Sequence, residues 1–228
     1  MKKIYLLFLI AAFGCEKETI EVVNYPAVLV AREYHVLTDV KLFTKTGQIT
    51  DKAIISSYLK KDTQGYFYKN KDSHVPINKP DTVIYQSKDT VLFSSPGDWG
   101  IRVPKQVGDY IHFSMTDTLA GFKSLMEEGP LVKIIRQIGL FKPYYEDIGP
   151  SNYGYQRVFS AFVAKGNPRR LEFPELTYLV TRRWDNTYNS VSMKNYNNVL
   201  DPDVVNLLRD GDTLAIQEAK IVYIQTDK

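Results

Sequence analysis

Three acidic residues, Asp98, Glu146 and Asp147, lie beside aromatic residues and are the first candidates for catalysis. Paired carboxylates can hydrolyse glycosidic bonds, and they need to be close in space rather than in sequence. The interpretation that we favour is that these carboxylates lie in surface turns. The chain has no Gly-x-Ser-x-Gly motif and no phosphate-binding glycine loop. We therefore predict no catalytic residues and keep a hydrolase as an alternative.

The three histidines, His35, His74 and His112, are far apart in the sequence. None has a second ligand at a metal-binding spacing, such as a histidine four residues away on a helix. A group of aspartates does not match a calcium loop, because apolar residues stand where oxygen ligands are needed; its members are Asp201, Asp203, Asp210 and Asp212. The sequence therefore predicts no metal and no cofactor.

Aromatic residues make up 13% of the chain, and several gather with asparagine and glycine in the loop-like segments 143–156 and 183–198. Tyrosine and tryptophan offer a flat apolar face with a polar group, and asparagine both donates and accepts hydrogen bonds. Such a combination suits a sugar or peptide surface, although core packing is the alternative for at least half of these residues. The predicted ligand-binding residues are Trp184, Tyr188, Tyr196, Tyr144, Tyr145 and Tyr153.

The only cysteine, Cys15, follows a positively charged start and a short apolar run. Lys2 and Lys3 precede about ten apolar residues at positions 4–13. This arrangement is typical of a secretory signal, and the run is too short to span a bilayer. We therefore predict that residues 1–14 are a signal peptide.

The stretch Ala12-Phe13-Gly14-Cys15 resembles the lipobox of bacterial lipoproteins. The resemblance implies that cleavage leaves Cys15 as the first residue, modified with acyl chains such as palmitate, and two or more chains make a durable membrane anchor. The following Cys-Glu-Lys-Glu segment resembles the export signal of Bacteroidota-type surface lipoproteins, or is simply a solvated tether. The implied location is the cell envelope, lipid-anchored in the outer membrane on its periplasmic or surface-exposed face. The alternative is ordinary signal cleavage nearby, with Cys15 as a free thiol.

Four Asp-Thr-aliphatic triplets resemble the O-glycosylation site of Bacteroidota-type exported proteins. An aspartate in a turn followed by threonine and an aliphatic residue also begins many strands, and that is the interpretation we favour. The threonines concerned are Thr82, Thr90, Thr118 and Thr213.

Charge and cysteine content limit the partners and the source of stability. Of 29 basic residues, Lys2 and Lys3 lie in the predicted signal, which leaves 27 against 26 acidic residues. Near-neutral charge argues against nucleic-acid binding. Without a second cysteine the chain forms no intramolecular disulfide, so packing must stabilise it. We predict a lipidated tether over residues 15–24 and a single β-rich domain over 25–228, with a division near Gly149-Pro150 as the alternative.

Alternating β-branched and aromatic residues predict a mainly β fold, at the margin of α+β. The segment 81–93 repeats itself after eight residues and predicts a hairpin. Further strands are expected at 26–32, 36–44, 109–115, 154–164, 175–183, 188–194 and 213–224. Predicted helices are 51–61, capped by Thr50, and 202–209, capped by Asp201. The region 118–140 is ambiguous: its first part, with Leu119 and Phe122, fits a helix that ends at Gly129-Pro130, and its second part fits either a helix or a strand.

Together these elements predict an antiparallel barrel or sandwich with two or three short helices, and their order resembles lipocalin-type ligand barrels. Two functions follow. The first is an exported, membrane-tethered, non-catalytic binding module for a glycan, a peptide or a small apolar ligand. The alternative is a structural or assembly lipoprotein that docks an envelope protein partner. An enclosed cavity favours the first, and a flat exposed patch favours the second.

Overall fold

The computed structural model describes residues 23–62, 65, 67, 71–72, 74–75, 77, 81–95, 98–115, 119–122, 130–142, 144–147, 155–159, 161–183 and 189–226. These residues form a mainly β protein. The strands are β1 (Ala27–Val36), β2 (Lys41–Thr44), β3 (Gly47–Ile49), β4 (His74–Val75), β5 (Thr82–Ser87), β6 (Thr90–Ser95), β7 (Asp98–Val107), β8 (Tyr110–Met115), β9 (Leu119–Phe122), β10 (Tyr144–Asp147), β11 (Tyr155–Phe159), β12 (Ala161–Asn167), β13 (Arg170–Arg183), β14 (Asn189–Tyr196) and β15 (Asp212–Gln225).

Three short helices accompany the strands in this part of the chain: α1 (Lys52–Leu59), α2 (Pro130–Gln137) and a 3₁₀ helix (Pro202–Leu207). Of these described helices, none has the length and apolar character that crossing a bilayer requires. The predicted mainly β class with two or three short helices is confirmed.

Eight strands close an antiparallel barrel, which decides between the predicted barrel and sandwich. They follow the order β1-β5-β6-β7-β8-β12-β13-β15, and β15 pairs back with β1. Alternate residues along these strands point inward, as Val91 and Phe93 do on β6. A barrel of eight strands is just wide enough for its interior to be filled by side chains.

Aromatic rings fill much of this interior. Phe113 lies at the centre, with its ring centroid 5.3 Å from that of Phe93 and 5.7 Å from that of Phe173. Tyr223 continues the contacts, 5.0 Å from Phe173. Each such buried side chain contributes about 1.5–3 kcal/mol relative to an exposed one. The described part of the barrel interior is therefore a packed core.

Strands β13 and β15 continue beyond the barrel and form a second layer, which we call the outer sheet, in the order β14-β13-β15-β2-β3. Both strands are 14 residues long, and they pair with each other almost throughout. On one face of the outer sheet, Tyr178 and Ile216 pack with α2 and the 3₁₀ helix. On the other face, Leu179 and Ala215 pack with Tyr58 of α1. The outer sheet is thus covered on both faces.

The starts of the helices can be compared with the sequence predictions. Asp51, not Thr50, caps α1 through its carboxylate, which accepts hydrogen bonds from two backbone N–H groups of the first turn. Asp201 caps the 3₁₀ helix as predicted. Leu119 and Phe122 lie in β9, not in a helix, because they pair with β11. The helix of this region begins at Pro130, since proline suits a first turn.

The predicted strand at 36–44 is interrupted, since β1 ends at Val36 and β2 begins at Lys41. Between them, the backbone N–H groups of Leu37 and Thr38 donate to the carbonyl of Glu218. The predicted hairpin at 81–93 is present as β5 and β6, with Val83 opposite Phe93.

Candidate functional site

The predicted ligand-binding aromatics fall largely where the structure gives no side-chain detail. Trp184, Tyr188 and Tyr153 lie outside the described residues. Tyr144 and Tyr145 are on β10, in a three-stranded sheet with the order β10-β11-β9. The sixth residue, Tyr196, lies on β14 of the outer sheet, opposite Leu176 of β13. The backbone therefore divides the three described residues between two sheets, and the role of all six in binding stays a prediction.

The predicted lipidation and glycosylation positions also lie partly inside and partly outside the described residues. Cys15 and Thr118 lie outside the described residues. Two of the remaining threonines, Thr82 and Thr90, begin β5 and β6, and Thr213 is the second residue of β15. Of the aspartates that precede them, Asp89 lies in a turn, whereas Asp212 is itself the first residue of β15 and is buried. Glycosylation at these threonines stays a prediction.

The acidic residues considered for hydrolysis lie on strands rather than in turns. Asp98 begins β7, and Glu146 and Asp147 end β10. These strands belong to different sheets.

A groove of about 280 Å³ lies on the outer wall of the barrel, where the barrel meets the outer sheet. Its side chains alternate along the strands with core residues, as Tyr110 precedes Ile111 and Glu172 precedes Phe173. We call it the wall groove. The residues on which its chemistry depends are Tyr110, Lys165, Glu172, Pro174, Glu218 and Lys220.

The groove exists because β13 exchanges one neighbour for another. It pairs with β12 from Arg170 to Glu172 and with β14 from Leu176 onward. Asn197 bridges the gap: its side-chain carbonyl accepts from Val163 N at 2.9 Å, and its amide donates to the Pro174 carbonyl at 2.9 Å. Backbone groups on both sides of the gap thereby keep hydrogen-bond partners.

The floor of the wall groove carries paired charges of both signs. Lys220 Nζ lies 2.7 Å from a carboxylate oxygen of Glu172, whose other oxygen lies 3.0 Å from Arg170. Beside them, Lys41 Nζ is 2.9 Å from Glu218. The hydrogen bond from Lys220, followed by that from Arg170, holds the pKa of Glu172 below its usual range despite burial. These pairs are part-exposed and therefore weak, so a ligand can compete for their hydrogen bonds.

An aromatic cluster forms one side of the groove. The Tyr110 ring is 4.9 Å from that of Phe141, edge to face, and Lys165 Nζ lies 4.7 Å from the Tyr110 ring centroid. Asn198 fixes Phe141 in place, because its side chain accepts from the Phe141 N–H at 3.1 Å and donates to the Phe141 carbonyl at 2.9 Å. Both hydrogen bonds thus hold the backbone that carries the Phe141 ring beside Tyr110.

His112 lies behind this cluster, with its ring centroid 5.0 Å from that of Phe141. Burial, and then the charge of Lys105, lowers its pKa, and its Nε2 is buried without a hydrogen-bond partner. His112 is part-exposed and packs against the Phe141 ring on the outer wall of the barrel. Among the side chains that the structure describes, no three His, Cys, Asp or Glu residues gather as metal ligands do.

A buried arginine inside the barrel was not anticipated from the sequence. Arg102 is 1% exposed on β7, with its guanidinium carbon 5.3 Å from the ring centroid of Phe162. Its neighbour Gly100 leaves the space that the guanidinium occupies, since a Cβ there would lie 3.3 Å from Nη1. Alternation along β7 gave the only signal, because position 102 lies opposite Val91 of the core.

Comparisons of the chain with protein-family models, with curated proteins and with solved structures found no match. The structure by itself defines the class of protein: a closed eight-strand antiparallel barrel that carries the outer sheet, with the polar wall groove at their junction. Function has to be argued from that groove.

Proposed function

We propose that the protein is an exported, lipid-anchored and non-catalytic module that holds a glycan or peptide segment in the wall groove. The observation that carries this proposal is the groove itself, which places a tyrosine ring beside lysine and glutamate side chains. Binding sites of this kind use a few placed polar groups beside an aromatic or apolar surface.

The size and lining of the groove favour a small polar ligand. Its volume of about 280 Å³ lies just below the roughly 300–1,000 Å³ typical of ligand pockets. One or two sugar rings, or a short peptide segment, match that space. The charged floor disfavours an apolar ligand, and the described barrel interior is filled by its own side chains.

Binding arrays of glycans and peptides, followed by calorimetry on the strongest ligand, test this proposal. Tyr110→Ala removes the ring that we expect to stack on the ligand, and Lys220→Ala removes a floor cation. Lys220→Ala should weaken binding about tenfold or more, since a hydrogen bond to a charged group contributes about 1.5–3 kcal/mol. Tyr110→Ala should weaken it by a similar factor through the loss of the aromatic contact area. Lys88→Ala is the matched control, because this lysine is 80% exposed in the turn between β5 and β6.

The result also separates the wall groove from the loop aromatics of the sequence prediction. If Tyr110→Ala and Lys220→Ala bind like the unaltered chain, the groove is not the site. In that case a loss of binding on Trp184→Ala would instead place the site in the segment 183–198. Melting temperatures of all variants show whether a loss of binding reflects unfolding.

We also propose that Cys15 carries the membrane anchor, so that the barrel stands in the cell envelope with the membrane as a partner and without nucleic acid. Support comes from the lipobox-like residues before Cys15. Cys15→Ser should move the protein from the membrane fraction to the soluble fraction, and intact mass of the native protein should show added acyl chains. A Cys15→Ser variant that stays with the membranes, or a native mass without acyl chains, would refute the anchor.

The second candidate function, docking of an envelope protein, is favoured by exposed apolar side chains on β7. Ile101, Val103 and Val107 are 49%, 44% and 45% exposed on one face of that strand. The variant Ile101→Lys/Val103→Lys should abolish co-purification of such a partner and leave ligand binding in the wall groove unchanged. Partner capture that survives these substitutions would exclude this surface.

A further inference from the structure

One end of the wall groove is rich in cations. Where β12 meets β13, one carboxylate oxygen of Glu172 lies 2.7 Å from Lys220 Nζ, and the other lies 3.0 Å from Arg170 Nη2. Lys165 is exposed and stands directly opposite Glu172 on β12. Directly opposed residues are the nearest cross-strand neighbours in a sheet. Among the side chains described there, three positive charges thus gather around one carboxylate, and we call this part of the groove the cationic end.

The other end of the groove carries acidic side chains, those of Glu175 and Glu218. Glu218 lies 2.9 Å from Lys41 Nζ, and Glu175 accepts a hydrogen bond from the Tyr34 hydroxyl. A carboxylate accepts about four hydrogen bonds through its two oxygens, so the ion-paired Glu218 can still accept from a hydroxyl group. The groove therefore presents donors at one end and acceptors at the other.

The aromatic ring of the groove lies at the cationic end. Lys165 Nζ is 4.7 Å from the centroid of the Tyr110 ring. An anionic group that binds this ammonium therefore brings the rest of its molecule beside Tyr110. A flat apolar ring with a polar hydroxyl suits the face of a sugar.

Backbone hydrogen bonding at the groove disfavours a peptide. A peptide that adds a strand binds mainly through the backbone groups of an open strand edge. At the gap between β12 and β13, Pro174 has no N–H group, and its carbonyl accepts from Asn197 at 2.9 Å. The N–H of Val163 already donates to the Asn197 side chain at 2.9 Å. Recognition at this gap therefore depends on side chains, and a sugar is recognised in that way.

We propose that the ligand of the wall groove is an acidic glycan, whose uronic acid carboxylate binds at the cationic end while its hydroxyl groups donate to Glu218. This inference rests on the proposed function of the groove and names its ligand class. The ligand carboxylate competes with Glu172 for Lys220 and Arg170. Part-exposed ion pairs contribute little to stability, so this exchange costs little. Lys165 adds a third donor beside the Tyr110 ring.

Calorimetry with matched disaccharides tests the ligand class. The probes carry one glucuronic, galacturonic or mannuronic acid residue, and each is compared with its neutral counterpart. At least one acidic disaccharide should bind about tenfold or more tightly than its neutral counterpart, since hydrogen bonds to charged groups are the stronger ones. High salt should reduce this difference, because it screens part-exposed charges.

Variants at the cationic end test where the carboxylate binds. Lys165→Met and Lys220→Met should each weaken binding of the acidic disaccharide about tenfold and affect the neutral one less. Lys88→Met is the matched control, because this lysine is 80% exposed in the turn between β5 and β6. Melting temperatures of all variants exclude unfolding as the cause.

Replacement of Glu172 gives a readout of opposite sign. Glu172→Gln removes the competing charge and keeps an acceptor oxygen, so it should tighten binding of the acidic disaccharide about threefold. Glu218→Gln is its matched control at the other end and should not tighten binding. If Glu172→Gln weakens binding as much as Glu218→Gln does, the inferred competition is wrong.

Three results would overturn the inference in ways that differ for the groove itself. If no acidic disaccharide binds more tightly than its neutral counterpart, but a neutral ligand binds and is lost in Tyr110→Ala, the groove stays the site without a carboxylate pocket. If a glutamate-containing peptide with blocked ends binds as tightly as the best acidic disaccharide, the assignment to glycans is wrong. Absence of binding by every probe would overturn both this inference and the proposed function of the groove.

Discussion

The buried ion pair of Arg182 and Asp212 offers a sharp test of how the outer sheet is held together. The two side chains are 5% and 2% exposed and face each other across β13 and β15. Arg182 donates from Nε to one carboxylate oxygen at 2.6 Å and from Nη2 to the other. Asp212 also accepts from the Arg209 N–H at 2.8 Å. Replacement of Arg182 by methionine would leave the carboxylate buried without its counter-ion.

The magnitude follows from the burial of the pair. Loss of one partner from a buried, hydrogen-bonded pair costs about 3–5 kcal/mol, because the remaining charge stays desolvated. For a domain of this size each kcal/mol lowers the melting temperature by about 2–4 °C. Arg182→Met should therefore melt roughly 6–20 °C below the unaltered chain in thermal unfolding followed by circular dichroism at pH 7.

A neighbouring pair supplies the control. Lys45 and Asp210 are 2.8 Å apart, but their side chains are 53% and 86% exposed. Lys45→Met should change stability by about 0–1 kcal/mol, as surface pairs do. The double variant Arg182→Met/Asp212→Leu removes both buried charges and should recover most of the loss. If Arg182→Met melts within about 2 °C of the unaltered chain, the reasoning about desolvation is wrong.

Two further predictions concern a glycine and a tyrosine. Gly166 has φ +115°, and a Cβ there would lie 2.1 Å from the Arg170 carbonyl oxygen, so Gly166→Ala should lower the free energy of unfolding in urea by at least about 2 kcal/mol. The control is Gly108→Ala, at φ +56° with open space around it, which should lower it by about 1 kcal/mol. Equal losses in the two variants would contradict the steric argument. Burial raises the pKa of Tyr58 to about 12, against about 10 in the unfolded chain. Because the unfolded chain loses this proton at a lower pH, the contribution of Tyr58 to stability declines between about pH 10 and 12. Urea midpoints measured from pH 8 to 11 should fall less steeply for Tyr58→Phe, and an unchanged slope would refute this assignment.

Local patterns in the sequence predicted the strands and caps better than the closure of the barrel. The repeat at 81–93 specified the β5–β6 hairpin because its two halves pair within the repeat itself. Closure depends on β1 and β15, for example Leu29 opposite Gln225, and no local pattern encodes a pairing so distant. Barrel and sandwich therefore stayed open at the sequence level.

The sequence predicted a helix boundary correctly where the residues at that boundary are typical of only one end of a helix. Asp201 before Pro202 indicated a helix start unambiguously. Gly129-Pro130 permits two interpretations, because glycine often follows a helix and proline often begins one. The sequence prediction ended a helix there, whereas α2 begins at Pro130.

The wall groove was not predictable because its residues come from separate strands. Tyr110, Lys165 and Glu172 each look like an ordinary outward residue in an alternating strand, and only the register of β8, β12 and β13 brings them together. Asn197 was the one nearby signal, since an asparagine just after a strand suggests a side-chain bridge to the backbone.

The pairing of the first barrel strand with the last one constrains how the nascent chain matures. Until β15 pairs with β1, the aromatic interior is open to water and two strand edges have no partners. Those edges can pair with other chains, so the refolding yield of this protein should fall as its concentration rises.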